Sequence, residues 1–136
     1  MIWMLDTDIL IFLTNRRPGF EKIARRMSGR SPGELRLSAV TLAELRFGIE
    51  RGAFRTQNKA ALESLLELLQ VDDFPAAAAQ DFGEIKAHLL SEGKAIGPYD
   101  LLIAAHARQI DAVLVTNNER EFRRVPGLSL QNWVKA

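Results

Sequence analysis

The run IWMLDTDILIFL, residues 2–13, decides the fold class. Its first four residues are apolar without alternation and stop at Asp6, the pattern of a short strand buried on both faces of a parallel sheet. Thr7 and Asp8 follow, either of them able to cap a helix, and Ile9 to Leu13 continue as an apolar helical segment. A buried strand that runs straight into a helix is the opening of a βαβ unit, in which the helix carries the chain back so that the next strand lies parallel.

Working outward, the same alternation continues. Leu35, Leu37 and Ala39 alternate with polar neighbours as a second strand, and Thr41 opens a helix with Leu42, Leu45 and Ile49 on one side. Leu62, Leu65, Leu66 and Leu69 repeat at helical spacing. Val71 to Phe74 reads as a short strand ended by Pro75, which opens a helix through Phe82, Ile85 and Leu89 to a stop near Gly93. Past the loop Gly97-Pro98-Tyr99, Asp100 stands where an N-cap would, ahead of a nearly all-buried helix from Leu101 to Ala105. Ala112 to Val115 is then a strand, followed by Asn117, Asn118 and a helical turn to Phe122. The pattern predicts an α/β fold, a three-layer sandwich with a central mostly parallel sheet flanked by helices, in one domain over residues 1–136.

Composition narrows the chemistry. With 136 residues, 47% of them hydrophobic, the chain supports one core and hardly two. It has no cysteine, which removes disulfides and thiolate metal sites and leaves His88 and His106, far apart in sequence, as the remaining soft ligands; zinc is disfavoured and both histidines read as structural. No basic leader precedes Asp6 and no long apolar run follows, so the expectation is a cytoplasmic protein without signal peptide or membrane span. A net charge of +1 gives no global attraction for a polyanion, so nucleic-acid binding needs local patches. One such stretch holds Arg16, Arg17, Lys22, Arg25, Arg26 and Arg30 against the single acid Glu21. It reads either as a solvated helix face or as a patch in which Arg16, Arg17, Arg25 and Arg26 touch phosphates.

In open parallel sheets, ligands bind beyond the carboxyl ends of the strands. Asp6 follows the first strand, Glu44 sits in the first turn of the helix after the second, Asp100 opens a late helix, and Asn118 to Glu121 follow the strand ending at Val115. All can meet at one sheet edge. Carboxylates forced together repel and lose hydration unless a cation joins them, and oxygen-only ligands suit magnesium or manganese, which lowers the pKa of a bound water and neutralises a leaving oxygen. Each acid also has a plainer reading. Glu44 completes a capping box with Thr41, Asp100 is an N-cap, Asp8 is a cap or turn residue, and Glu121 forms a box with Asn118. Asp6 resists this, because an acid ending a buried strand is costly without a partner.

Four segments, MLDTDIL at 4–10, SAVTLAELRFG at 38–48, GPYDLLIAAHA at 97–107 and LVTNNEREFRRVPGL at 114–128, together with Trp133, resemble the VapC family of PIN-domain toxins over essentially the whole chain. The resemblance implies a PIN-like sandwich and an endoribonuclease dependent on magnesium (Mg2+) or manganese (Mn2+). It implies metal-binding acids at Asp6, Glu44 and Asp100 with a supporting hydroxyl at Thr116. The sequence departs from the family at Asp8, where Asn or Ser is usual, and at Asn118, where many relatives carry Asp; Glu121 is the candidate for the fourth acid. The subgroup resembled cuts structured RNA, often tRNA. Its members form homodimers and pair with a cognate VapB-type antitoxin whose tail crosses the acidic site. Two rival readings remain at this point: an aspartate-nucleophile phosphohydrolase, with Asp6 as nucleophile and Asp8 as general acid, and a non-catalytic PIN-like module that only binds RNA or protein.

Overall fold

Strand β1 (Trp3–Leu5) lies at the middle of the sheet, paired in parallel with β2 (Leu35–Ser38) on one side and β4 (Val113–Val115) on the other. β3 (Gln70–Asp72) continues beyond β2 and β5 (Ser129–Gln131) beyond β4, so the order is β3-β2-β1-β4-β5 with every pairing parallel. The computed structural model describes residues 1–135, leaving only the last residue of the expected domain outside it.

Every connection carries at least one helix. α1 (Thr7–Thr14) and α2 (Phe20–Met27) join β1 to β2, α3 (Ala39–Arg51) and α4 (Arg55–Leu66) join β2 to β3, α5 (Ala78–Ser91) and α6 (Pro98–Gln109) join β3 to β4, and α7 (Glu119–Phe122) leads to β5. Successive strand residues point to opposite faces, and both faces are covered. Met4 and Leu114 pack with Ile85, Leu89, Ile103 and Phe122. Leu5 and Val115 pack with Ile9, Leu10, Ile23, Leu45 and Leu62 on the other side. That double burial is why residues 2–5 are apolar without alternation.

The elements form as expected, but several helices start elsewhere. α1 is capped by Asp6, not by Thr7 or Asp8. α3 begins at Ala39, with the Ser38 hydroxyl accepting from the Val40 amide at 3.1 Å. Thr41 is therefore already inside the helix, Glu44 lies in its second turn, and the capping box between them is not formed. α6 begins at Pro98 behind Gly97, because proline fits the first helical position and lacks the amide a cap would have to satisfy; Asp100 sits in the first turn and is not the N-cap. Pro75 precedes α5 by a turn closed from the Ala78 amide to the Pro75 carbonyl at 2.9 Å, instead of opening the helix. β3 runs slightly ahead of the expected Val71–Phe74 because its register is set by pairing with Arg36 to Ser38.

Three elements lie outside the sequence expectation: α2, a 3-10 turn at Pro32–Glu34 that leads into β2, and β5. α2 hides Ile23 and Met27 beneath its charges. β5 is three residues long and is pinned by Trp133, which is buried beside Trp3 with ring centroids 6.3 Å apart. The Arg30 guanidinium stacks 3.9 Å from the Trp3 centroid and Arg26 lies 5.8 Å from that of Trp133, cation–π contacts worth about 0.5–1 kcal/mol each at exposed sites. His106, fully buried, meets the Ser38 hydroxyl at 2.8 Å and the edge of Phe74, so it ties α6 to the start of α3. Burial holds its imidazole below the usual pKa.

Candidate active site

The strand order turns back at β1, with β2 following on one side and β4 arriving on the other, and this reversal leaves a crevice beyond the carboxyl ends of those two strands. Asp6 leaves β1 and Thr116 leaves β4 at this point. The Asp6 amide donates to the Val115 carbonyl at 2.9 Å, which extends the sheet by one bond. Its carboxylate is then held on both oxygens: Oδ1 accepts from the Thr7 amide at 2.8 Å and Oδ2 from the Thr116 hydroxyl at 2.8 Å. Asp6 is only 3% exposed.

The other acids gather around it from different elements. Asp8, in the first turn of α1, accepts from the Asn117 amide through Oδ2 at 3.3 Å, while its Oδ1 is buried without a partner. Glu44 reaches across from α3, and its Oε1 accepts from the Thr7 hydroxyl at 2.7 Å. Thr7 also meets the Thr41 hydroxyl at 3.2 Å. Asp100 faces Glu121, Glu44 and Asp8. Glu121 is steadied by Asn118, whose side-chain amide donates to Oε2 at 3.1 Å while its backbone amide donates to the Thr116 hydroxyl at 2.9 Å. Asn118 does stand at the N-cap of α7, but without a capping side-chain bond, so the expected box with Glu121 is replaced by this amide-to-carboxylate contact. Glu119 points elsewhere, to Asn132, Arg123 and Lys135.

The crowding shows in the proton affinities. Burial first, then the charges of Asp8 and Asp100, push the Asp6 carboxyl up to about 8 despite its hydrogen bonds to Thr116 and Thr7. Burial likewise raises Asp8, against hydrogen bonds and the nearby charge of Arg17. Asp100 is pushed up to about 6 by burial and then by Glu121, Glu44 and Asp8. Without a cation, Asp6 retains a proton at neutral pH. Among the described residues no three acidic or histidine side chains already enclose a common metal position. Magnesium needs no such cage, since it keeps several waters and binds through a few carboxylates. The all-oxygen donor set and the unpartnered Asp8 oxygen fit such an ion.

Sequence reasoning undervalued Asp8, reading it as a cap or turn, and missed Thr7, the hydroxyl that orients Glu44. Two carboxyls flanking a hydroxyl directly after a buried strand were the available signal. The arginines of the basic stretch lie in different surroundings. Arg17 stacks 5.7 Å from the Phe12 centroid and its charge reaches Asp8. Arg16, left-handed at φ 49°, lies over Phe20, Arg25 is exposed, and Arg26 lies on Trp133.

A family model described as the PIN domain matches residues 3–128. Ribonuclease VapC2 of Haemophilus influenzae is 42% identical over 132 residues, covering 97% of this chain and 98% of that protein. The tRNA(fMet)-specific endonuclease VapC of Shigella flexneri is 40% identical over 131 residues, covering 96% and 97%. The crystal structure of DNA-bound VapBC from Salmonella typhimurium contains a chain that superposes with a TM-score of 0.90 at 38% identity, with 98% of each chain covered.

Proposed function

We propose a mechanism and a substrate for this chain, which belongs to the PIN domain family and is, within it, a ribonuclease of the VapC toxin type. It is an endonuclease that requires magnesium or manganese and cuts structured RNA, tRNA above all. Asp6, Asp8, Glu44 and Asp100 form the cation site, and Glu121 serves as a further acid. The observation that carries this is the buried Asp6 beside Asp8, whose free oxygen and raised proton affinity mark a cluster built to be completed by a positive charge. The bound ion would supply an activated water and charge neutralisation at the cut phosphate.

The chain's own groups do the positioning. Thr116 and the Thr7 amide fix both oxygens of Asp6, the Thr7 hydroxyl aims Glu44, and Asn118 holds Glu121 next to Asp100. The burial of Asp6 argues against the phosphohydrolase reading, since a nucleophile must come within bonding distance of a phosphorus atom shielded by its own oxygens, whereas a small ion can reach a buried carboxylate oxygen.

The tRNA preference is supported by the Shigella relative's specificity, and a VapB-type antitoxin partner by the VapBC assembly of the Salmonella relative. The protein is a cytoplasmic homodimer, kept inactive while that antitoxin is bound. Among the described residues no helix is long and apolar enough to cross a membrane. The test is incubation of the protein with tRNA, and separately with a phosphate monoester, in chelator, in magnesium and in manganese. Internal cuts in tRNA that appear only with added metal are expected. Cutting that persists in excess chelator would overturn the metal mechanism, and hydrolysis of the monoester would revive the phosphohydrolase.

A further inference from the structure

Gly48 sits in the third turn of α3, where glycine weakens a helix relative to alanine. It is not among the residues with positive φ, and a Cβ built on it meets nothing within 4 Å. Neither backbone conformation nor close packing accounts for it. What the missing side chain leaves is space, and Gly48 lines a cavity of about 290 Å³ between α1, α3 and α4.

The cavity is built asymmetrically. Ile11, Leu45 and Leu62 supply apolar walls, while Asn15 and Asn58 bring side-chain amides and Arg17 a guanidinium. One end is formed by Thr7 and Glu44, which are joined by their 2.7 Å hydrogen bond, so the space is continuous with the acid cluster. Apolar walls beside the polar residues Asn15 and Asn58 suit a single unstacked base, which proteins hydrogen-bond on its polar edges after removing it from the RNA stack. The volume lies just under the roughly 300–1,000 Å³ of sites that hold a drug-sized ligand, so it admits one such group. Arg17, whose charge already reaches Asp8, supplies the cation for an adjoining phosphate.

We infer that this cavity is a nucleobase subsite, which takes one base next to the cut phosphodiester and thereby sets where the RNA is cleaved. The inference rests on the ribonuclease reading of the acid cluster. Gly48→Leu should close the cavity without disturbing the fold. The experiment uses the full chain with magnesium and a tRNA it cuts, alongside versions of that RNA lacking the base at the position before or after the cut.

For the parent protein, removing one of these two bases should lower kcat/KM about tenfold, the effect of losing about 1.4 kcal/mol of contacts in the cavity. Gly48→Leu should cut intact RNA about tenfold more slowly, be indifferent to the missing base, keep the parent's magnesium midpoint and melt no lower. If the parent ignores both abasic positions, or Gly48→Leu keeps full sensitivity to them, the subsite is refuted while the nuclease reading stands. If the parent cuts no RNA with either metal, the nuclease reading fails first. A Gly48→Leu protein that cuts normally but no longer binds a protein inhibitor would reassign the cavity to that partner and overturn the inference. Should Gly48→Leu melt lower, Gly48→Ala, which favours the helix and fills less space, must show a smaller loss in the same direction.

Discussion

Asp6→Asn should inactivate the enzyme and, in the absence of metal, make it more stable. The Asp6 carboxyl is raised from 3.8 to about 8, so the folded state retains a proton that the unfolded chain releases. Stability contributed by that proton is complete below about pH 4 and is lost as pH rises towards 8. A shift of roughly four units at 1.36 kcal/mol each bounds the loss at about 5 kcal/mol. Asp8, itself raised by burial, is hydrogen-bonded to Asp6 and titrates with it, so Asp6 accounts for only part of that loss. Asparagine keeps an oxygen for the Thr7 amide and places an NH2 group beside Thr116 and Asp8, which removes the repulsion without opening a cavity. At about 3–4 °C per kcal/mol for a chain of this size, the metal-free variant should melt several degrees above its parent at pH 8 and no more than about 20 °C above it. The difference should vanish near pH 4. Thermal unfolding followed by circular dichroism in chelator, from pH 4 to 8.5, reads this directly. His106 is common to both proteins and cancels in the comparison, whereas Asp8 and Asp100, which interact with Asp6, belong to the difference being read. A variant that melts below its parent at pH 8, or a difference that does not change with pH, would refute the account of the site as a strained acid cluster.

Glu121→Gln should raise the magnesium concentration needed for half-maximal cleavage with little change in melting temperature, and Asn118→Ala should do so more weakly. Glu119→Gln should leave the titration unchanged, since Glu119 is bound to Asn132, Arg123 and Lys135; a shift there would show that the wrong glutamate was chosen. Arg17→Gln should weaken RNA binding and flatten its salt dependence by about one unit. Arg26→Gln should instead cost about 0.5–1 kcal/mol of stability through its lost contact with Trp133, with the salt dependence intact. Equal binding losses in the two variants would restore the basic stretch as a single phosphate patch.

The sheet was legible because burial on both faces writes itself into sequence as uninterrupted apolar runs, and Asp6 stood out because it ended one. Helix starts were harder to read. Thr41, Asp100 and Asp8 all have side chains able to cap, and which residue does so depends on partners distant in sequence: Ser38 is turned to its task by His106, and Asp6 by Thr116. With the caps misplaced by two or three residues, Glu44 and Asp100 each kept a local explanation that the structure removes. Asp8 was undervalued because nothing near it in sequence reveals that Asn117 will approach. β5 is too short for periodicity to register, and α2 displays its charges more plainly than its two buried side chains.

The hydrogen bond from Thr116 to Asp6 joins positions 110 residues apart, and β4 must slot in beside β1 before it can form. During synthesis the first strand and most of its acids emerge long before their last partners do. Until the final fifth of the chain has left the ribosome, Asp6 lacks the hydroxyl that fixes it and Asp100 lacks Glu121. A contact of such long range also belongs to the slow, late part of folding. A chain that stops short of Thr116 therefore carries Asp6, Glu44 and Asp100 without the bonds that hold the cluster together.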